Sequence, residues 1–326
     1  MVEWPKCGPD GHPDLEDSVT IDEGVLDPWI TEQLASNPAL LTPMEDTSPE
    51  ILALARTVSL GPPTVEIDQV VDDTVAGVPV RLYTHATPAP GVVVYFHGGG
   101  FVLGGIEVMD GVARELARTT GAPVVSVGYR LAPEDPFPAG LDDCEAVTRW
   151  AIEQATTRFG APAGSVVVAG ESAGGNLAAA VALRLREAAI AGLAGQVLIY
   201  PGADGRATHY PSRDEFDGLV LSRAQRDYYW ASYGGGRSLD DEPFAALMRQ
   251  PTLAGLPPAL VVLGGCDVLR DEGRAYAQRL AAEGVDTEEV CVPGQPHGFV
   301  NFGFPGARPA YAAIGRWTRD RLGGAR

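Results

Sequence analysis

The 326-residue sequence predicts an α/β protein built on a mostly parallel, doubly wound central sheet, and three observations carry that prediction. Short, almost continuously apolar runs (VPVRLY, GVVVYFH, PVVSVGY, SVVVAG, GQVLIY, PALVVLGG and EEVCV) recur from about residue 65 onward. Amphipathic or alanine-rich segments at 110–120, 139–158, 174–190 and 271–283 separate most of them, and a last helical pattern runs over 307–322. Strands apolar on both sides are buried on both faces, the state a parallel sheet reaches when its crossover helices cover it. Third, SVVVAGESAGGNLAAAVALRLRE passes from strand pattern to helix pattern with no ordinary loop between, and Ser172 stands at the bend among small residues.

Two parts depart from the alternation. Residues 1–60 hold the helix-like LDPWITEQLASNPALL and SPEILALARTVSLG, and residues 203–245 interrupt the strand order with the aromatic-rich LSRAQRDYYWASY. Insertions of this size at one end of a sheet commonly form a lid over the strand ends. The expected division is therefore 1–60 as the first part of a helical cap, 61–202 as core, 203–245 as the cap insertion, and 246–326 as the rest of the core.

Composition narrows the functions. Acidic residues number 43 against 24 basic ones, a formal net charge of −19, which repels nucleic acid and anionic membrane alike. Lys6 is the one lysine, and the arginine-, alanine- and glycine-rich background is consistent with adaptation to salt but is equally what a GC-rich coding sequence yields without selection on the protein. There is no apolar run of roughly 18 residues or more, and MVEWPKCGPDGHPDLEDSV has neither the basic nor the apolar region of a signal peptide, so a cytoplasmic chain is expected. Cys7, Cys144, Cys266 and Cys291 are scattered without a CxxC pair, a pattern of free thiols rather than of a zinc site or disulfide framework. The oligomeric state is open, a homodimer included.

In a parallel sheet ligands bind beyond the carboxyl ends of the strands, so polar residues just after strands are the ones to inspect. Ser172 follows SVVVAG, Asp267 follows PALVVLGGC and His297 follows EEVCVPGQP. Gly170-Glu171-Ser172-Ala173-Gly174 fits a nucleophile elbow, whose flanking glycines are needed because a Cβ there would collide with the neighbouring strand or helix. After another strand comes HGGGF, His97 to Phe101, where three bare glycines let backbone amides approach a developing oxyanion. The expected donors are the amides of Gly99, Gly100 and Ala173, with Gly98 as an alternative.

HGGGF, YRLAPEDPFPAGLDD, GESAGGNLAAAVALRLRE, and DVLRDEG followed by HGF resemble the hormone-sensitive-lipase-like, bacterial family IV, carboxylesterases over about residues 65–320. The resemblance implies an α/β-hydrolase fold with a helical cap, a Ser172–His297–Asp267 triad, an oxyanion hole from the HGGG glycines and Ala173, and hydrolysis of small short-chain esters without a metal or organic cofactor. Amides, formamides and lactones are alternative substrates of the same machinery. A non-catalytic small-molecule receptor is a further reading, against which the intact Ser172, Asp267 and His297 argue. The chain departs from the family at Glu171, where Asp or Thr is common, at Val268, where Pro is, and at Phe101, where Trp is frequent; a Ser-Pro often found before GLPPAL is missing.

Other residues take structural roles in this reading. His12, His85 and His209 are structural or solvated, and His97 braces the glycine loop. Asp271 suits the start of a helix better than the orienting role of Asp267. Arg130 and Glu134 serve as an ion pair or loop clamp. Phe101, Phe216, Tyr229 and Trp230 are the aromatic candidates for facing a substrate, Tyr228 with them.

Overall fold

A computed structural model describes residues 23–36, 48–57, 65–205 and 208–323. Its sheet has eight strands: β1 (Gln69–Val75), β2 (Val78–Thr84), β3 (Val92–Phe96), β4 (Val124–Val127), β5 (Val166–Glu171), β6 (Leu193–Ile199), β7 (Ala259–Gly264) and β8 (Thr287–Val292). They lie in the order β1-β2-β4-β3-β5-β6-β7-β8. All pairs from β4 to β8 are parallel, and β2 runs antiparallel to both β1 and β4. Seven strands match the apolar runs of the sequence. The eighth, β1, is an addition: QVVDDTV lies at the sheet edge with most of its side chains out of the core, and Asp72 and Asp73 pair with Arg81 and Arg158.

The helices are α1 (Pro28–Ser36), α2 (Pro49–Ala55), α3 (Asp110–Thr120), α4 (Ala139–Phe159), α5 (Ala173–Glu187), α6 (Ser212–Glu215), α7 (Arg223–Gly234), α8 (Arg270–Ala282) and α9 (Ala307–Arg321). Strands β3, β4, β5 and β7 are buried along their whole length. That requires a helical layer on each side. Val94, Val168 and Val261 point into one layer with Leu141 of α4, Leu177 of α5 and Leu280 of α8, while Val93, Val167 and Val262 point into the other with Leu116 of α3 and Ile314 of α9. The period-2 alternation of the strands thus feeds two cores from one sheet. Among the described residues no helix is long and apolar enough to cross a membrane.

The expected cap divides in two. Helix α1 docks on the core: Ile30 is fully buried with Phe299 and Phe304, and the Asp27 amide donates to the Gly294 carbonyl at 3.1 Å. Helix α2 lies elsewhere, with Leu52 against Val102 and Ala132, and Arg56 donating to the carbonyls of Val102 (2.7 Å) and Ala132 (2.8 Å). Arg56 also holds Glu134 at 2.8 Å, whereas Arg130 pairs with Asp143 at 2.8 Å. Both residues of YRLAPE clamp their loop, through partners that only the fold brings near. Residues 1–22, 37–47, 58–64, 206–207 and 324–326, including Cys7 and His12, lie outside the described residues.

Strand β3 sends the chain outward to β4, and β5 returns on the other side of β3. Such a reversal opens a crevice at the carboxyl ends of β3 and β5. Helix α5 can start against the ends of β3 and β5 only because of glycine: a Cβ on Gly174 would overlap the Phe96 carbonyl, and one on Gly170 would overlap the Gly174 carbonyl. Backbone atoms cannot give way, so Gly174→Ala is expected to destabilise by about 3 kcal/mol, the upper part of the overpacking range. By contrast Gly111→Ala, on the exposed face of α3 with nothing within 4 Å, is expected to stabilise by about 0.5 kcal/mol. Urea unfolding of the two variants checks both signs.

Candidate active site

Ser172 is the single residue between β5 and α5, and its backbone (φ 55°, ψ −118°) occupies a region that non-glycine residues rarely adopt. The tight turn lifts its hydroxyl clear of the sheet. His297 Nε2 lies 2.9 Å from Ser172 Oγ, and His297 Nδ1 lies 2.9 Å from Asp267 Oδ2. Asp267 is fully buried, and its Oδ1 accepts the Leu269 amide at 2.8 Å. With the carboxylate accepting Nδ1–H, the free lone pair of the imidazole is on Nε2, facing the serine hydroxyl. The loops after β5, β7 and β8 therefore bring the three predicted side chains into one hydrogen-bonded chain.

The glycine loop after β3 lies beside them. Gly99, Gly100 and Phe101 have φ of 118°, 62° and 65°. The Gly98 amide donates to Glu171 Oε1 at 2.5 Å, so this amide is taken. Among the described residues, the amides of Gly99, Gly100 and Ala173 have no hydrogen-bond acceptor. His97 Nδ1 is 2.8 Å from the Gly98 carbonyl, and its ring stacks on Tyr129 at 4.2 Å. Burial pushes its pKa down to about 4, which keeps the imidazole neutral. It braces the loop, as the sequence implied.

Glu171, a departure from the family pattern, is a tether in the structure. It is fully buried at the end of β5, next to Ser172 in the chain, and joins that strand to the glycine loop through Gly98. Burial raises its pKa to about 8 against the opposing pull of the Gly98 amide, so at neutral pH it is an uncharged carboxyl group. Two further residues had no signal in the sequence. Tyr200 directly follows β6, packs edge-on against the His297 ring at 4.8 Å, and donates to Asn301 Oδ1 at 2.7 Å. Asn301 lies four residues beyond His297, in a spacing with no motif of its own.

A cavity of about 630 Å³ opens over Ser172. Phe101, Tyr229 and Trp230 line it, as do Ala55 of α2 and Leu221. A Cβ on Gly100 would overlap the Tyr229 ring, so the aromatic residue of α7 rests directly on the glycine loop. Phe216 differs from expectation. Its ring is buried among Cys266, Val268 and Leu269 with the Arg270 guanidinium 5.1 Å from its centroid, behind the cavity wall. Tyr228 packs with Leu52 and Val102 instead. Asp271 stands in the first turn of α8 and accepts the Ser212 amide at 2.9 Å, tying α6 to the core. His85 Nε2 meets the Ala117 carbonyl at 3.1 Å, and His209 is exposed. Cys144, Cys266 and Cys291 are free thiols. Among the described residues no group of three or more His, Cys, Asp or Glu is arranged to hold a metal ion.

Comparison with known proteins agrees with this geometry. The α/β hydrolase fold family matches residues 93–301. Carboxylesterase NlhH of Mycobacterium tuberculosis is 39% identical over 261 residues, 78% of this chain and 79% of that one. The ethyl acetate hydrolase of Pseudomonas putida is 34% identical over 232 residues, 69% of this chain and 72% of its own. Among solved structures, the hyperthermophilic esterase of Pyrobaculum calidifontis superposes with a TM-score of 0.81 at 34% identity, covering 91% of this chain and 98% of its own. Sequence motifs, sheet topology and relatives of this extent converge: the chain belongs to the α/β hydrolase fold family and, within it, to the hormone-sensitive-lipase-like serine carboxylesterases.

Proposed function

We propose that Ser172 is the nucleophile of this esterase, with His297 as its general base and Asp267 as the orienting carboxylate. The observation that carries the reading is the pair of 2.9 Å contacts linking Ser172 Oγ, His297 and Asp267 at the mouth of the cavity. His297 takes the Ser172 proton as Oγ attacks the ester carbonyl, and the amides of Gly99, Gly100 and Ala173 receive the oxyanion. The imidazolium then protonates the departing alcohol, and water, deprotonated by the same imidazole, releases the acid. The cap helices α2 and α7 roof the site, and Glu171 is a positioning residue that holds the glycine loop against the nucleophile strand.

Ser172→Ala is expected to lower turnover of p-nitrophenyl butyrate to about a thousandth of wild type or less while leaving the unfolding transition in place. Asp267→Asn is expected to lower kcat by about 10⁴-fold, and Asp271→Asn to lower stability with little change in kcat. The reverse ranking would move the orienting role to Asp271.

Chain length tests the roof. Each methylene buried in the cavity contributes roughly 0.8 kcal/mol until the space is full, after which a clash cancels the gain. Rates across p-nitrophenyl esters are expected to peak between about two and eight carbons, and Trp230→Ala to shift the peak toward longer chains. Equal rates on four- and sixteen-carbon esters would replace the bounded cavity with an open groove.

The raised pKa of Glu171 gives a pH-dependent stability. In the unfolded chain its carboxyl ionises near 4.5, in the folded one near 8, so the native state loses stability as pH rises through that window. Glu171→Gln removes the titration. Its stability relative to wild type is expected to grow in the variant's favour from pH 5 to pH 8, by up to about 5 kcal/mol, and to level off above. Urea unfolding at pH 5, 7 and 9 measures the trend, and a difference independent of pH would refute it.

A further inference from the structure

The cavity over Ser172 is apolar over most of its wall, but one end is charged. Asp204, Glu272 and Arg226 line it there, beside Gln225 and Trp230. Both carboxylates are already matched within the protein. Glu272 Oε2 receives Nε of the buried Arg213 at 2.9 Å, and Oε1 receives the Ala203 amide at 3.0 Å. Asp204 receives the Gly205 amide at 2.8 Å and the Tyr210 hydroxyl at 2.9 Å, with Arg249 4.0 Å away.

Arg226 is different. Arg213 has Glu272 and Arg223 has Asp214, yet among the described residues the Arg226 guanidinium has no hydrogen bond and no ion pair. Asp227, its chain neighbour, acts on it through charge but forms no ion pair with it, since adjacent helical residues do not face each other. The residue is half-buried rather than reaching into open solvent. Burial holds its pKa below the ordinary arginine range; the charge of Glu272 works against that shift and the charge of Arg213 works with it. Taking a guanidinium out of water without a partner is costly, and the partner it lacks is an anion with two oxygens in one plane.

We propose that this end of the cavity is a carboxylate subsite, and that the preferred substrates are esters bearing a free carboxylate that pairs with Arg226. The subsite rests on the ester-hydrolase reading of Ser172 and narrows its substrate class. A monoanion fits better than a phosphate, since Asp204 and Glu272 stand close by and Arg226 brings a single charge. The carboxylate can belong to the acyl part, as in a half-ester of a dicarboxylic acid, or to the alcohol part, as in an acyloxy acid.

Proton-release titration of kcat/KM distinguishes the two. One arm compares monoethyl succinate, glutarate and adipate with ethyl esters of unsubstituted acids of equal length. The other compares 3-acetoxypropanoate and 4-acetoxybutanoate with propyl and butyl acetate. In at least one arm the wild-type enzyme is expected to prefer the anionic ester by about tenfold or more, the scale of a charge-assisted hydrogen bond. Arg226→Gln is expected to bring that ratio to about one, and Arg226→Lys to retain part of it. A wild-type ratio of one or below in both arms, or a preference that persists in Arg226→Gln, overturns the proposal. Should Arg226→Gln fail to fold, the monoanion glutaramate and the neutral glutaramide are compared on wild type as competitors of p-nitrophenyl acetate; stronger inhibition by glutaramate supports the subsite, and equal or weaker inhibition overturns it. Turnover of p-nitrophenyl acetate itself separates the two levels. Its absence refutes the ester-hydrolase reading of Ser172, whereas turnover without anion preference refutes only the carboxylate subsite.

Discussion

The hydrogen bond from the Gly98 amide to the Glu171 carboxyl group is the contact on which the site's geometry depends. It joins two segments that the proposed reaction needs in register, the turn that presents the Ser172 hydroxyl and the loop whose Gly99 and Gly100 amides are without acceptors. Neither segment is stable alone in its observed form: Ser172 sits in strained backbone, and Gly99 and Gly100 adopt positive φ where an unconstrained chain would sample many conformations. A buried carboxyl group fully inside the sheet is an expensive way to make one bond, and the chain makes it at the residue immediately before Ser172. Strain of this kind persists where surrounding structure over-determines it. The glycines at 170 and 174 do the same from the other side, by letting β3 and α5 close to backbone contact.

Much of this was legible in the sequence because the chemistry and the fold use the same residues. Glycine in GESAGG and HGGG is at once a steric requirement and a motif, and apolar runs mark strands whose ends then locate Ser172, Asp267 and His297. What was not legible lacked such double duty. Strand β1 carries two adjacent aspartates and buries little, so its sequence reads as a polar linker until Arg81 and Arg158 come to meet it. Arg130 and Glu134, four residues apart, invite a local pairing, but Asp143 and Arg56 reach them first through tertiary contacts. Phe216 is as aromatic as Trp230, and only the path of the chain between β6 and β7 decides that one ring packs behind the wall and the other lines it. Tyr200 and Asn301 belong to no spacing rule; they become visible once His297 has a position.

The polar end of the cavity shows how burial turns arithmetic into chemistry. Across the whole chain a net charge of −19 is screened by salt within about 8 Å. Inside the cavity, where water is partly displaced, the balance among Asp204, Glu272, Arg213, Arg249 and Arg226 outweighs the global sum.

Floor and roof of the cavity are fastened by separate bonds. The floor is the carboxyl edge of the sheet, closed by backbone contacts that admit no larger residue. The roof hangs largely from side chains: α2 on the guanidinium of Arg56 and α7 on the Trp230 indole's bond to Asp240 at 3.0 Å, with one backbone bond beside them, from the Phe137 amide to the Tyr233 carbonyl at 2.8 Å. Side-chain fastenings can be exchanged one at a time, and backbone closure cannot. Substitutions at these joints can therefore reshape the roof while the glycine-closed floor keeps its geometry, a modularity written into which atoms make the joints.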